Sequence, residues 1–426
     1  MEHEFDPALE PRRELRSRLD HILPPLLASQ RSSWEQGVAV QAILETHQFL
    51  AQWSDRYTPN LTPYLYGLVH DAVVRQGSDG RLAILLNGDG GSDKGAADPA
   101  CIGETIYFLL SLLPDDSHDY QRFHDAVENM LNYLLTCCPR ASVRLTDGNQ
   151  PLVPAELLSH RTDGVQAWSD FVYMTPPFLI AAALHQNNIP NPSYDTEFLI
   201  RSSLQQVILA AQVLQSPTGE WSHIFDLSSN QFVRKAFWGV GNGWVCGGII
   251  RAFRSLSFAL QSTADHRVTL EQSLRQPEIA GYLRDVVEIL FKTITACLGH
   301  MRPDGLFTDV LDDPTSFVET NLSQQLSYTL YRLLDFQMDT PPHILEILHL
   351  KNKIGDARKA EWEVLANKMY IGALSKTDQW GFVRGVCGSP TFDKPGTAAE
   401  GQAWAILMEV ARAEYHEHNL ILGSRT

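Results

Sequence analysis

Six times along this chain an apolar-periodic helix gives way to a loop rich in Gly, Pro and Asp, then to a second helix with small residues near its start. The first helices are predicted over residues 11–29, 60–76, 119–137, 195–215, 276–299 and 356–375. The second helices are predicted to begin near Ser32, Ala97, Trp168, Gly241, Val318 and Gly396, at intervals of 65, 71, 73, 77 and 78 residues. Helical pairs can stack into an open solenoid or close into a ring. Solenoid units are shorter, roughly 34–47 residues. The longer unit, the irregular loops and the count of six favour closure. The expectation is all-α: an (α/α)₆ barrel of six helical hairpins, with residues 1–426 forming one domain and the second helices as the inner ring. Strand content should be minor, because spacings of i, i+3, i+4 and i+7 dominate over alternation.

Composition excludes some functions. Lys and Arg number 34 against 50 Asp and Glu, a formal net charge of −16. Nucleic acid and anionic membrane surfaces are therefore not expected partners, since phosphate binding needs clustered cations. The first residues, MEHEFDPALEPRRELRSRLD, contain no apolar core of a secretory signal. The six cysteines form no C-x-x-C pair and no disulfide framework. A cytoplasmic location is expected. The oligomeric state is left open.

In a closed barrel the starts of the inner helices and the loops before them form one rim. Asp98, Asp170, Trp238, Asn242 and Trp244 fall at such starts, and His160 and His223 in preceding loops. Carboxylic acids for proton transfer, polar groups for hydroxyls and aromatic faces for sugar rings suit a carbohydrate site. Each residue also has a plainer use. Asp98 precedes Pro99 and suits a helix N-cap. Asp170 is expected one turn inside an apolar helix, where an acid without a partner is costly. Either histidine or tryptophan, taken singly, could be part of the core.

At these residues the chain resembles the unsaturated glucuronyl and rhamnogalacturonyl hydrolases, glycoside hydrolase families 88 and 105, which are six-hairpin barrels. The resemblance rests on Trp168-Ser169-Asp170-Phe171-Val172-Tyr173-Met174 with Pro177-Phe178-Leu179, on Gly219-Glu220-Trp221-Ser222-His223, and on Trp238-Gly239-Val240-Gly241-Asn242-Gly243-Trp244. Trp34-Glu35-Gln36-Gly37 and Glu400-Gly401-Gln402-Ala403-Trp404 extend it over nearly the whole chain. It implies Asp170 as catalytic acid/base and Asp98 as the second aspartate, tuning or positioning the first. It also implies His160, His223, Trp238, Asn242, Trp244 and Trp34 as substrate-binding residues. No metal or organic cofactor is implied.

The implied reaction starts with protonation of the C4=C5 vinyl ether of an unsaturated uronide. Water then adds at C5, and collapse of the hemiketal releases the partner sugar. Repulsion between two nearby carboxylates is expected to keep one acid protonated. The pattern is broken at one position: where the family signature carries an arginine that helps to hold the anionic substrate, this chain has Val240. Arg161, Arg384 and Lys394 are candidate replacements. Besides the hydrolase, two readings stay open. One is a barrel repurposed for proton transfer to a small alkene-containing metabolite, as an isomerase, hydratase or cyclase. The other is a non-catalytic carbohydrate-binding barrel.

Overall fold

The computed structural model describes residues 10–31, 33–51, 59–84, 94–143, 146–147, 150–151, 155–388 and 392–423. Ser32, expected to open the first inner helix, and residues 1–9 lie outside them. The inner helices are Trp34–Ala51, Gly103–Leu110, Pro176–Asn188, Gly239–Gln261, Asn321–Asp339 and Ala399–Gly423. Each packs on the next, and the last packs back on the first, so the ring closes. Around it stand Glu10–Ser29, Thr62–Val74, His118–Asn132, Thr196–Leu214, Pro277–Leu298 and Asp356–Leu374. This is the all-helical six-hairpin toroid that the repeat predicts.

Burial separates the two rings. Every residue from Asn321 to Phe336 is buried, as befits a helix enclosed by its neighbours. The outer helix Asp356–Leu374 instead buries one stripe through Trp362, Ala366, Met369, Tyr370 and Ala373, the spacing of a helix with one face on a core. Small residues let the inner helices close up. A side chain at Gly37 would run into Cys101, and one at Gly248 into the Val172 carbonyl.

The pairing of helices is offset from the sequence expectation. Of the inner helices that flank it in the chain, each outer helix leans more on the earlier one, and Glu10–Ser29 leans on the final helix, Ala399–Gly423. There Arg12 Nη2 donates to Glu417 Oε1 at 2.6 Å in a buried ion pair. After the first pair, the connections from outer to inner helices are the long ones. They carry the short strands and build the rim. Two further helices, His266–Leu274 and Pro342–Ile347, lie in the connections on the other side and were not anticipated.

Four inner helices start at least three residues later than predicted, the last of them at Ala399 rather than Gly396. Asp98 opens a 3-10 turn, Asp98–Ile102, ahead of Gly103. Trp168 ends a strand, and the helix after it is a single turn, Phe171–Met174, that breaks at Thr175 before resuming at Pro176. The break follows from Pro176-Pro177, which lack the N–H groups that a continuous helix needs. Val318 pairs in a strand, and its helix begins at Asn321. A three-stranded antiparallel sheet, Gln166–Trp168, Ile224–Asp226 and Gln231–Arg234, matches Trp168 with Ile224 and Ile224 with Arg234. Among the described residues no helix is long and apolar enough to cross a membrane.

Candidate active site

Two carboxylate–histidine pairs meet on either side of Trp168 at the rim. His160 Nε2 lies 3.1 Å from Asp98 Oδ1, and His223 Nε2 lies 3.4 Å from Asp170 Oδ2. His160 stacks on Trp168 with ring centres 4.7 Å apart, while His223 meets the indole edge-on at 5.3 Å. Backbone hydrogen bonds fix the arrangement. Ala96 N donates to the His160 carbonyl at 2.8 Å, tying the Asp98 turn to the His160 loop. Ser169 N donates to the His223 carbonyl at 3.1 Å, tying Asp170 to its histidine. Both histidines are buried, and both aspartates keep a little surface at the rim.

Asp170 is not inside the helix, as the sequence suggested. It stands immediately before Phe171, at the helix N-terminus, and its side chain makes no capping bond. Its carboxylate instead accepts from Ser169 Oγ at 3.3 Å. Burial works against its charge, but the contact with His223 Nε2 and the charge of His160 outweigh burial and hold the acid below its ordinary range. The expected carboxylate repulsion does not dominate, because each aspartate has its own histidine. Burial disfavours the His160 imidazolium, yet the charge and hydrogen bond of Asp98 prevail and raise its pKa. For His223 burial prevails and the pKa is lowered.

The third component is a basic residue that the sequence reading missed. Arg234 Nη1 contacts His223 Nδ1 at 2.9 Å. A guanidinium can only donate, so Nδ1 accepts and the ring hydrogen sits on Nε2, toward Asp170. Trp238 backs this group, its ring 4.4 Å from His223 and 5.5 Å from the Arg234 guanidinium carbon. Its indole N–H donates to Asp309 Oδ1 at 3.0 Å.

The chain and its fold have known relatives. Residues 15–335 match the model of Glycosyl Hydrolase Family 88. The chain belongs to that family. The unsaturated rhamnogalacturonyl hydrolase YesR of Bacillus subtilis (strain 168) is 22% identical over 304 residues, covering 70% of this chain and 69% of that protein. A possible member of the GH105 family from Klebsiella pneumoniae superposes with a TM-score of 0.66 at 15% identity, over 98% of this chain and 96% of the other. The unsaturated glucuronyl hydrolase of Bacillus sp. GL1 superposes with a TM-score of 0.53 at 10% identity, over 95% and 96%. At such identities the two structural likenesses speak for the fold. By family the protein is a glycoside hydrolase of the unsaturated uronyl hydrolase group.

Within this family 88 chain the predicted residues divide by placement. Asp98, His160, Asp170, His223 and Trp238 come together. Asn242 is fully buried, and its amide is used on backbone: Trp221 N donates to its Oδ1 at 2.7 Å, and its Nδ2 donates to the Trp221 and Trp238 carbonyls at 3.1 and 2.9 Å. It shapes the loop and has no group left for a hydroxyl. Trp244 is also buried, against Tyr173 at 4.6 Å and Trp404 at 5.4 Å, so it is a wall of the interior rather than a sugar platform. Trp34 is half-buried at the start of the first inner helix, 6.3 Å from Phe392. The aromatic ring between both acid pairs is Trp168, which the sequence reading treated only as a neighbour of Asp170. Its position directly before Ser169-Asp170 was the available signal.

Proposed function

We propose that this protein removes an unsaturated uronosyl residue from an oligosaccharide, with Asp170 as the proton donor. The observation that carries the reading is the pair of Asp–His contacts meeting at the half-buried face of Trp168. Asp170 protonates C4 of the C4=C5 bond, and positive charge develops at C5 and the ring oxygen. Water adds at C5 and gives its proton back to the Asp170 carboxylate. The hemiketal then collapses with loss of the partner sugar. Asp170 must first acquire a proton, and an anionic uronate bound beside it disfavours its charged form. Asp98 favours the charged form of His160 and orients its ring, and Trp168 offers the sugar-stacking surface.

The interior near the rim also suits a polar ligand. Tyr173 Oη, Trp404 Nε1 and both amide atoms of Asn321 and Gln325 are buried without a protein hydrogen-bond partner. Such groups call for water or ligand oxygens. Val240, the main support for an apolar metabolite as substrate, is fully buried and presents no surface to any ligand.

The test is hydrolysis of unsaturated rhamnogalacturonyl and glucuronyl disaccharides, followed by loss of the enol-carboxylate absorbance. Wild type should turn over one of them, and Asp170→Asn should lose about 10²–10⁴-fold in kcat. Folded wild type that leaves both absorbances unchanged would refute the reading.

A further inference from the structure

A uronate carboxylate needs a cation, and the family signature's arginine is absent. Three of this chain's basic side chains bear on the problem. Arg161 is forked onto Asp163, with Nε and Nη2 donating at 3.1 and 3.0 Å. Arg384 is likewise committed to Asp378 at 2.8 and 2.5 Å. Arg234 is placed differently. One nitrogen rests on a neutral imidazole, and the nearest acid, Asp309, is 3.8 Å away, beyond hydrogen-bond distance. Its side chain is 33% exposed, so it is held but still open to a ligand. The sheet fixes its position, because Arg234 pairs with Ile224, the residue after His223.

We propose that Arg234 is the carboxylate-binding, specificity-determining residue of this enzyme, reaching the site from the strand before the signature in place of an arginine within it. The proposal rests on the uronyl hydrolase reading. A guanidinium carries five N–H donors, and one goes to His223, which leaves a fork that a carboxylate can accept from. The same contact explains why Val240 is tolerated: the cation has moved to position 234. It also couples recognition to chemistry. The chain Arg234–His223–Asp170 places the bound carboxylate one side chain away from the acid, so an acidic sugar promotes protonation of Asp170 and a neutral analogue does not.

The experiment compares an unsaturated uronyl disaccharide with its C6 methyl ester, using wild type, Arg234→Met and Arg234→Lys, each checked for an unchanged melting temperature. Wild type should prefer the acid. Arg234→Met should raise KM for the acid by about 50-fold and leave KM for the ester nearly unchanged, while kcat falls on both substrates because His223 loses its partner. Arg234→Lys should recover part of the preference, since it keeps the charge and loses the fork. Equal losses on acid and ester, or an unchanged ratio, would overturn the proposal. Calorimetric titration of Asp170→Asn, with and without Arg234→Met, separates it from the hydrolase reading. Acid-selective binding that depends on Arg234, without turnover by wild type, sinks the hydrolase reading and keeps this inference. Turnover with no Arg234-dependent selectivity does the reverse. Binding of neither ligand removes both.

Discussion

His160 Nε2 and Asp98 Oδ1 lie 3.1 Å apart in a buried corner of the rim, and this contact decides the charge of the histidine. Burial alone would discharge the ring, and Asp98 overrides it. Asp98→Asn should therefore lower the His160 pKa. Selectively labelled histidine resonances would show the change. The sign for stability follows. A histidine whose folded pKa is raised stabilises the fold below its unfolded pKa, and that contribution is lost as pH rises through the folded value. Asp98→Asn should thus cost more stability at pH 6 than at pH 9. An equal loss at both would mean that Asp98 does not act through the charge of His160.

His223 acts in the opposite sense on Asp170. Its Nε2 contact is among the contributions that keep this acid ionised against burial. His223→Gln should let burial prevail and raise the Asp170 pKa. The limb of the kcat/KM profile that reports Asp170 should move to higher pH, while the maximum rate falls by about 10²-fold. A lower rate with an unmoved limb would separate His223 from the acid.

The sequence told the fold and half the site apart in a consistent way. All six outer helices lie within a few residues of their predicted bounds, because an amphipathic stripe such as Trp362, Ala366, Met369 and Ala373 is written in local spacing. The inner starts were blurred. Buried helices are apolar all round and carry no stripe, and Asp98 and Trp168 belong to a 3-10 turn and a strand that only the rim contacts define. Asp98, His160, Asp170 and His223 were legible from motifs. Asn242 and Trp244 belong to the same signature, but the motif does not say which of its members face the pocket. Arg234 was invisible, since its role depends on a hairpin register that pairs it with Ile224. The only hint was a basic pair, Arg234-Lys235, just ahead of a signature that lacks its arginine.

His418 offers a pH test far from the rim. Its Nδ1 lies 2.6 Å from Asp335 Oδ1. Burial disfavours the imidazolium, but Asp335 lifts the pKa from 6.5 to about 9. This stabilisation is complete below about pH 6.5 and fades as pH rises through 9. Denaturant titrations of wild type should show that loss between pH 6.5 and 9, and His418→Gln should flatten it. A wild-type stability that stays level across this window would contradict the assignment.

Arg332 sits between two acids inside the barrel, with Nη2 donating to Glu45 Oε2 at 2.6 Å and Nη1 paired with Glu414. All three are buried. Burial works against the Glu45 charge, but Arg254 and Arg332 hold its pKa near 2. Arg332→Met leaves carboxylates without their cation and should cost about 3–5 kcal/mol. Adding Glu45→Gln and Glu414→Gln should return part of that loss, because the two carboxylates are then no longer stranded, although Arg254 gives up its acid partner Glu45. Failure of the triple variant to recover any stability would show that packing of the arginine stem, not charge, dominates.

One substitution made at two glycines should give opposite signs. Gly248 faces the backbone of the short helix behind Asp170: a methyl group there would overlap the Val172 carbonyl and crowd Tyr173 Cα, and backbone cannot rotate aside. Gly248→Ala must push Phe171–Met174 outward, and Asp170 is the residue at its start. The cost should be about 1–3 kcal/mol from overpacking. Activity should fall further than stability explains, by about 10²-fold for a displacement near 1 Å. Gly281 lies in the outer helix Pro277–Leu298, where the nearest atom to an added methyl is the end of the Arg284 side chain at 3.6 Å. Gly281→Ala should stabilise by about 0.5–1 kcal/mol, through better helix propensity and a less free unfolded chain. Melting temperatures and kcat of the two variants decide the matter. If Gly248→Ala keeps full kcat at a temperature where it is folded, the close approach of this inner helix does not position the acid.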